Sequence, residues 1–219
     1  CGSEKSGKES SKKDTSSSVS DSKTDSKNDS TTDSKDDSST ADTFKKGTIT
    51  ATSFESSYLN LKFTAPSDFI MATDEQMIQM VNKGADASGI DKNTYDYAAA
   101  NSVYEMMATS PSGYPNVIVM EEKQALAGVT AESYCTQLST GLKAITTMKY
   151  TVSDEMKKVN IAGQEYTSLT AKCNVSGKEV NQEYYVRIVE GRAVCMIVTY
   201  LGSDTKGKDT IIKSFSAMN

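Results

Sequence analysis

The chain has no histidine and no tryptophan, and only three of its 219 residues are prolines. Without histidine there is no imidazole general base, which excludes Ser-His-Asp and Cys-His catalysis and zinc sites with histidine ligands. Basic charge is also in deficit, because 24 basic residues stand against 29 acidic residues. A net charge of -5 repels a phosphate backbone, so we expect no nucleic-acid partner.

Long hydrophobic runs are missing as well. Nowhere do about 20 consecutive apolar residues occur, the length that a membrane-spanning helix needs. The first 42 residues are nearly all polar, with Val19 as their only large aliphatic residue. Such a segment buries too little apolar surface to offset the entropy of ordering it. We predict that residues 1–42 form a disordered tether and that residues 43–219 form a single globular domain.

The chain begins Cys1-Gly2-Ser3 and runs directly into this polar segment. The pattern resembles the start of mature bacterial lipoproteins, whose signal peptide is removed just before a cysteine that carries a diacylglycerol group. The resemblance implies lipidation of Cys1 and a membrane contact through this N-terminal diacylglycerol, with acyl chains such as palmitate. It also implies localisation on the outer face of the cytoplasmic membrane, at the cell surface. Two acyl chains make a stable anchor, whereas one does not. The alternative is a fragment that happens to begin with cysteine.

Hydrophobic periodicity in the remaining chain predicts strands that are connected mostly as hairpins. Short turns between the last four strands indicate an antiparallel meander. Strands in hairpins with helices between them describe an α+β domain built on an antiparallel sheet. The predicted strands are residues 47–53, 58–65, 103–109, 116–122, 149–161, 165–175, 180–189 and 193–201.

Three helices are predicted from caps and apolar spacing. Thr73 followed by Gln76 is a capping box, and Gly84 supplies a stop signal. Thr130 caps the clearest helix, whose apolar residues recur at helical spacing. Residues 85–101 show no clear pattern. A final helix carries Ile211, Ile212 and Phe215 on one side.

Several sequence patterns occur together in the globular part. The run from Tyr58 to Phe69 has the form Y-x-N-x-x-F-x-x-P-x-x-F, V-T-x-x-x-Y begins at Val129, and I-x-G begins at Ile161. Their order resembles PsbP/Mog1-like lipoproteins of Gram-positive bacteria. The resemblance implies an antiparallel sheet of about six or seven strands with helices on its faces, a Mog1/PsbP-like αβα sandwich. It implies no reaction, because members of such families serve as accessory, assembly or binding proteins.

Three cysteines remain besides Cys1, namely Cys135, Cys173 and Cys195. Their odd number leaves at least one thiol free. Cys173 and Cys195 fall on predicted strands that are separated by another strand, about 10 Å apart, which is too far for a disulfide. We favour three buried, reduced cysteines, and a bond that includes Cys135 is left open.

Acidic residues are the remaining candidates for chemistry. The stretch 86–96 offers oxygen ligands but does not fit the calcium loop of an EF-hand, and we interpret it as a polar surface loop. The pairs Glu121-Glu122 and Asp154-Glu155 are interpreted as solvated strand ends. The sequence therefore predicts no catalytic residue, no metal and no cofactor.

Tyrosine is unusually frequent, with eleven tyrosines against five phenylalanines. Tyrosine gives a large amphipathic contact area at low entropic cost, so exposed tyrosines favour binding of glycans, peptides or an envelope protein. The alternative is half-buried packing within the sheet. The candidate binding surface consists of Tyr95, Tyr97, Tyr114, Tyr184 and Tyr185.

These observations favour a lipid-anchored, non-catalytic protein that binds or scaffolds another molecule in the cell envelope. One alternative is a lipoprotein that delivers a small ligand to a transporter, although such receptors usually have two lobes and a longer chain. A less favoured alternative is a histidine-free envelope hydrolase that uses Ser-Lys or two carboxylates.

Overall fold

Two antiparallel sheets and four helices make up residues 43–219, the part of the chain that a computed structural model describes. The architecture is α+β, as the sequence predicts. The predicted tether and Cys1 lie outside the described residues. The four helices are α1 (Asp74–Ser88), α2 (Lys92–Asn101), α3 (Ala131–Ala144) and α4 (Thr205–Lys213).

Among residues 43–219 the large sheet has eight strands, where the sequence predicts about six or seven. They are β4 (Ile70–Met71), β5 (Ser102–Thr109), β6 (Asn116–Lys123), β7 (Thr151–Val152), β8 (Lys157–Ile161), β9 (Gln164–Val175), β10 (Lys178–Val189) and β11 (Arg192–Leu201). Their order is β4-β5-β6-β11-β10-β9-β7, and β8 pairs with β9 as well. The count differs because β4 has two residues, too few for periodicity to detect, and because the predicted strand of residues 149–161 is divided into β7 and β8.

The predicted meander is confirmed by the pairing of β9 with β10 and of β10 with β11. Tight turns join these strands at Ser176-Gly177 and Glu190-Gly191, and all four residues have positive φ. Positive φ at both central residues defines the turn type whose twist matches that of the flanking strands, and glycine adopts it without steric cost. The predicted hairpin of residues 103–109 and 116–122 is also confirmed.

The small sheet has the order β1-β2-β3-β12. Its strands are β1 (Thr48–Ile49), β2 (Ser53–Ser56), β3 (Leu61–Thr64) and β12 (Phe215–Ser216). The predicted strand of residues 58–65 is shorter, because Tyr58 and Leu59 lie in the turn before β3. The sequence predicts Phe215 in the last helix, but α4 ends at Lys213 and Phe215 pairs with Phe63 in the small sheet. The spacing of Phe215 from Ile211 and Ile212 fits a helix. Its ring packs against Phe63, however, and this contact places Phe215 in a strand.

The capping boxes at Thr73 and Thr130 are both confirmed. Gly84 does not end α1, which continues to a left-handed cap at Gly89. A glycine inside a helix costs about 1 kcal/mol, which the rest of the helix offsets. Residues 85–88 belong to α1 and residues 92–101 form α2, so the stretch 86–96 is largely helical and not the predicted loop.

Apolar residues cover both faces of the large sheet. On one face a first cluster joins it to the small sheet and α4, with Phe54, Leu61, Phe63, Val119, Met196 and Ile211 among its members. On the other face a second cluster lies against α3, with Tyr134, Cys135, Leu142, Leu169, Tyr184 and Cys195 among its members. One face is thus covered by a second sheet as well as by a helix, which the predicted αβα sandwich did not include.

Replacing Phe215 by alanine should lower the free energy of unfolding by about 3–5 kcal/mol, because it empties a buried site beside Phe63. Ile78→Ala is the matched control, because Ile78 is 57% exposed on α1, and it should change stability by less than about 0.5 kcal/mol. Urea unfolding followed by circular dichroism measures both. Equal effects would contradict the closure of the small sheet by Phe215.

Candidate functional site

A groove of about 390 Å³ crosses β8, β9 and β10, and α4 contributes one of its walls. It lies on the face of the large sheet that carries the first apolar cluster, because its lining residue Tyr185 belongs to that cluster. Three aliphatic hydroxyl groups line it, from Ser153, Ser168 and Thr170, in addition to the phenol of Tyr185. A volume of this size is within the range of sites that bind small molecules.

An interruption of the sheet edge shapes this groove. The sequence predicts one strand over residues 149–161, but the structure breaks it between β7 and β8. Within the break, the Ser153 backbone N–H still donates to the Thr170 carbonyl at 2.8 Å, and the Ser153 hydroxyl accepts from the Glu155 backbone N–H at 3.2 Å. The chain therefore leaves the sheet and returns to it, and Ser153 and Glu155 line the groove at this point.

Glu183 is the centre of a hydrogen-bonded cluster in the groove. Its carboxylate accepts from the Tyr200 hydroxyl at 2.9 Å, from the Lys208 ammonium at 3.1 Å and from the Tyr185 hydroxyl. The side chains of Glu183 and Lys208 are only 16% and 21% exposed. Hydrogen bonds from three donors hold this carboxylate in a single position.

Electrostatics keep Glu183 ionised. Burial raises the pKa of its carboxyl, but the hydrogen bonds from Tyr185, Lys208 and Tyr200 outweigh burial, so the pKa lies below its usual value. Burial and the neighbouring Glu183 charge raise the pKa of the Tyr185 and Tyr200 hydroxyls. Both phenols thus stay protonated and act as donors.

The other charges in the groove are of both signs. Lys157 lies 3.6 Å from Glu155, and Lys208 lies 4.0 Å from Asp209 in addition to its contact with Glu183. The groove therefore combines hydroxyl groups with charges of both signs rather than a field of one sign. Such a lining can orient a polar ligand by hydrogen bonds.

The predicted tyrosine surface is not formed as one patch. Tyr184 and Tyr185 are 5% and 4% exposed, and as neighbours on β10 they point to opposite faces of the sheet. Tyr184 packs in the cluster against α3, whereas Tyr185 packs in the first cluster and reaches the groove. Tyr114 lies half-buried in the turn between β5 and β6. Tyr95 belongs to α2, as does Tyr97, but their side chains are outside the described part of the structure.

Sequence reasoning did not single out Glu183 or Lys208. A signal was present, because the pattern Glu183-x-Tyr185 places a carboxylate and a phenol on one face of a strand. The interpretation of Glu121 as a solvated strand end is wrong, because Glu121 is fully buried beside Glu105. The pleat explains the error, since Glu121 shares its face with the buried core residue Val119.

The three described cysteines are buried and form no disulfide. Cys173 pairs with Val180 and Cys195 pairs with Val186, so β10 lies between the two cysteines, as predicted. Burial raises the pKa of Cys135 to about 11, raises that of Cys195 further, and also raises that of Cys173. These thiols therefore remain protonated near neutral pH, and a thiolate nucleophile is disfavoured at all three positions.

Fold and groove together define an α+β domain with a polar cleft between its large sheet and its last helix. No helix among residues 43–219 is both long and apolar enough to cross a membrane. In the same described part of the chain, no three histidine, cysteine, aspartate or glutamate side chains come together as metal ligands.

Comparison with known proteins finds similar folds but no family. No protein-family model matches the chain, and no curated protein matches it. The solution structure of the cyanobacterial PsbP protein CyanoP from Synechocystis is similar with a TM-score of 0.47 and 12% identity, over 78% of this chain and 95% of that one.

Two further structures are similar. A protein from Bacteroides thetaiotaomicron has a TM-score of 0.44 and 12% identity, over 78% of this chain and 50% of that one. LpqN, which is involved in cell envelope biogenesis of Mycobacterium tuberculosis, has a TM-score of 0.43 and 11% identity, over 73% of this chain and 83% of that one. TM-scores below 0.5 are too low to place this chain in the family of any of the three.

Replacing Glu183 by glutamine should lower the free energy of unfolding near neutral pH by about 1.5–3 kcal/mol, the usual contribution of hydrogen bonds to a charged group. Because folding lowers the pKa of Glu183, its contribution is present above the ordinary carboxyl value of 4.5 and is lost as the pH falls through the folded-state value. The variant should therefore lose less stability on acidification than the wild type. Urea titrations over a range of pH values measure this difference.

The matched control is Glu179→Gln on the same strand, where the side chain is 52% exposed and 3.6 Å from Lys172. It should leave both stability and its acid dependence close to those of the wild type. An equal effect of the two substitutions would contradict the central role of Glu183.

In a Cys1→Ser background, the thiols of Cys135, Cys173 and Cys195 should not react with a water-soluble aromatic disulfide near about pH 8, because all three are buried. Adding denaturant should make all three react at once. Absorbance of the released thiolate follows the reaction. Fast labelling of any of them in the folded protein would contradict its burial.

Proposed function

We propose that residues 43–219 form a non-catalytic binding module of the cell envelope and that the groove around Glu183 is its ligand site. The observation that supports this most is the preorganised Glu183 carboxylate, which accepts three hydrogen bonds beside a row of hydroxyl groups. When a ligand binds to a site whose polar side chains are already held in place, little side-chain entropy is lost.

The chemistry of the lining favours a neutral, hydroxyl-rich ligand such as a saccharide unit of an envelope glycan. Thr170 is exposed and Ser168 is half-buried, so hydroxyl groups face the groove. The lysines of the groove each lie near a carboxylate, so a ligand with a large net charge gains little there. A glycan matches such a lining through many hydrogen bonds and little charge.

The same groups argue against catalysis. A general acid needs a proton near neutral pH, which requires a raised carboxyl pKa, whereas that of Glu183 is lowered. The phenols of Tyr185 and Tyr200 keep their protons and donate to Glu183, so they are not available as bases. We therefore favour the function of a binding module over that of a histidine-free hydrolase.

The proposal includes attachment to the outer face of the cytoplasmic membrane by a lipid on Cys1. Its support is the resemblance of the N-terminal sequence to mature lipoproteins and the polar composition of residues 1–42. Partition of the protein into a detergent phase tests this part separately. The wild type should enter the detergent phase and Cys1→Ser should remain in the aqueous phase.

Ligand binding is tested by calorimetry and thermal shift with short N-acetylglucosamine oligomers as the probe. We expect saturable binding and a dose-dependent rise in Tm. Thr170→Val keeps the shape of the side chain and removes one hydroxyl group from the groove. It should weaken binding about fivefold, which corresponds to about 1 kcal/mol for one hydrogen bond.

The control is Thr64→Val on β3, an exposed position that does not line the groove, which should bind as the wild type does. Equal weakening by the two substitutions would place binding elsewhere. If the oligomers do not bind, the proposal that the ligand is a glycan is wrong. Turnover of the probe would overturn the non-catalytic assignment.

A further inference from the structure

Glu105 and Glu121 form a fully buried carboxyl pair on the neighbouring strands β5 and β6. Strand pairing is irregular between Tyr104 and Met106, so Glu105 occupies a β-bulge, a device that re-aims a side chain. Among the described residues, Glu105 Oε1 and both carboxyl oxygens of Glu121 have no partner apart from the facing carboxyl group. Two carboxylates in contact repel each other strongly, so a shared proton is the simplest way to satisfy the pair.

A short segment covers this pair, and we name residues 44–47 the strap. The Gly47 backbone N–H donates to Glu105 Oε2 at 2.8 Å. The strap packs so closely there that a Cβ on Gly47 would lie 2.3 Å from the ring of Phe54, which is why glycine is required. Gly47 therefore connects the strap directly to the buried carboxyl pair.

The rest of the strap is held by charge and aromatic contacts. The Phe44 ring lies 4.0 Å from the guanidinium of Arg192 and meets the Tyr58 ring edge-on at 5.4 Å. Lys46 forms an ion pair with Asp74 at 2.7 Å. Along the chain, only Thr43 separates the strap from residues 1–42, and the strap directly precedes β1.

Charged groups face the pair from each neighbouring element. Lys46 comes from the strap, Asp74 from α1, Arg187 from β10 and Arg192 from β11. The guanidinium of Arg187 also donates to Gln164 at 3.3 Å and to the backbone carbonyl of Leu59. Arg192 contacts the strap itself through Phe44, so the charge state of the pair acts on the group that holds the strap.

Burial raises the pKa of both carboxyl groups, that of Glu121 to about 8 with a further contribution from Glu105. Arg192 and Arg187 oppose the rise at Glu121, whereas the Gly47 N–H, Glu121 and Lys46 oppose it at Glu105. A carboxyl group whose pKa is raised by folding favours the folded arrangement less as the pH increases toward that value. Loss of the shared proton leaves two adjacent buried charges, for which contact with water is strongly favoured. The strap donates the Gly47 N–H to the pair and lies outside the strands, so it is the element whose lifting would provide that contact.

We propose that the Glu105–Glu121 pair is a proton-binding site that controls docking of the strap: one shared proton keeps the strap closed, and full ionisation releases it. The pair and the strap share no residue with the groove. The inference therefore stands whether or not the groove binds a glycan.

The test uses the full chain with Phe44→Trp, because the natural sequence has no tryptophan and the strap then carries the only indole of the chain. Emission should be that of a partly buried indole near about pH 6 and should shift reversibly to longer wavelength toward about pH 9. Adding Glu121→Gln keeps the side-chain shape but removes the ionisation. The emission of the double variant should then stay constant over the same range.

Glu122→Gln is the matched control, because Glu122 is the next residue on β6 and its carboxylate accepts instead from Tyr134 at 2.7 Å. With this substitution the pH-dependent shift should remain. A shift that persists in the Glu121→Gln background would overturn the proposal, as would a constant emission in Phe44→Trp alone. Far-UV circular dichroism of the same samples should not change, and its loss together with the emission shift would mean unfolding of the domain instead.

A second measurement needs no tryptophan. Lys45 and Lys46 make the strap a substrate for trypsin once it lifts. At about pH 8.5 the wild type should be cut in the strap several-fold faster than Glu121→Gln, and at about pH 6.5 the two rates should converge. Equal rates at both pH values would overturn the proposal.

Discussion

Burial of β11 on both faces is the constraint on which the rest of the structure depends. This strand lies in the middle of the large sheet, and nearly all of its residues are buried. A strand in that position must be apolar on both faces, and the run from Ala193 to Val198 meets that requirement. Different elements pack on its two faces: the small sheet and α4 on one face, and α3 on the other. The first and second apolar clusters, and the positions of α3 and α4 on the sheet, follow from this arrangement.

Buried acidic groups are placed where this apolar packing ends, and they are handled in two different ways. Glu183 receives three donors, so its charge is stabilised and its pKa is lowered. Glu105 and Glu121 receive one backbone donor and each other, so burial dominates and their pKa values are raised. The same residue type therefore has opposite properties at two sites of one domain. The number of nearby hydrogen-bond donors, rather than burial alone, determines whether the pKa of a buried carboxyl group is lowered or raised.

Much of the fold could be predicted because its signals are local. The capping boxes at Thr73 and Thr130 involve residues three positions apart, and the tight turns of the meander involve adjacent residues. One error arose where a distant contact decided the outcome, and another where a local stop signal was too weak. Phe215 fits a helix by its spacing but packs on Phe63, more than a hundred residues earlier in the chain. Gly84 reads as a stop signal, yet α1 continues beyond it because stability comes from the whole helix.

The amino-acid sequence by itself determined the α+β class, the antiparallel meander and the burial of the cysteines, since periodicity and turn chemistry act over a few residues. Only the tertiary structure decided which polar residues meet. Glu183 joins Lys208 of α4, and Glu105 meets Glu121 under the strap, because strand order and register bring together positions that no local pattern connects. Long-range packing sets the donors and burial of each carboxyl group, and these in turn set its charge.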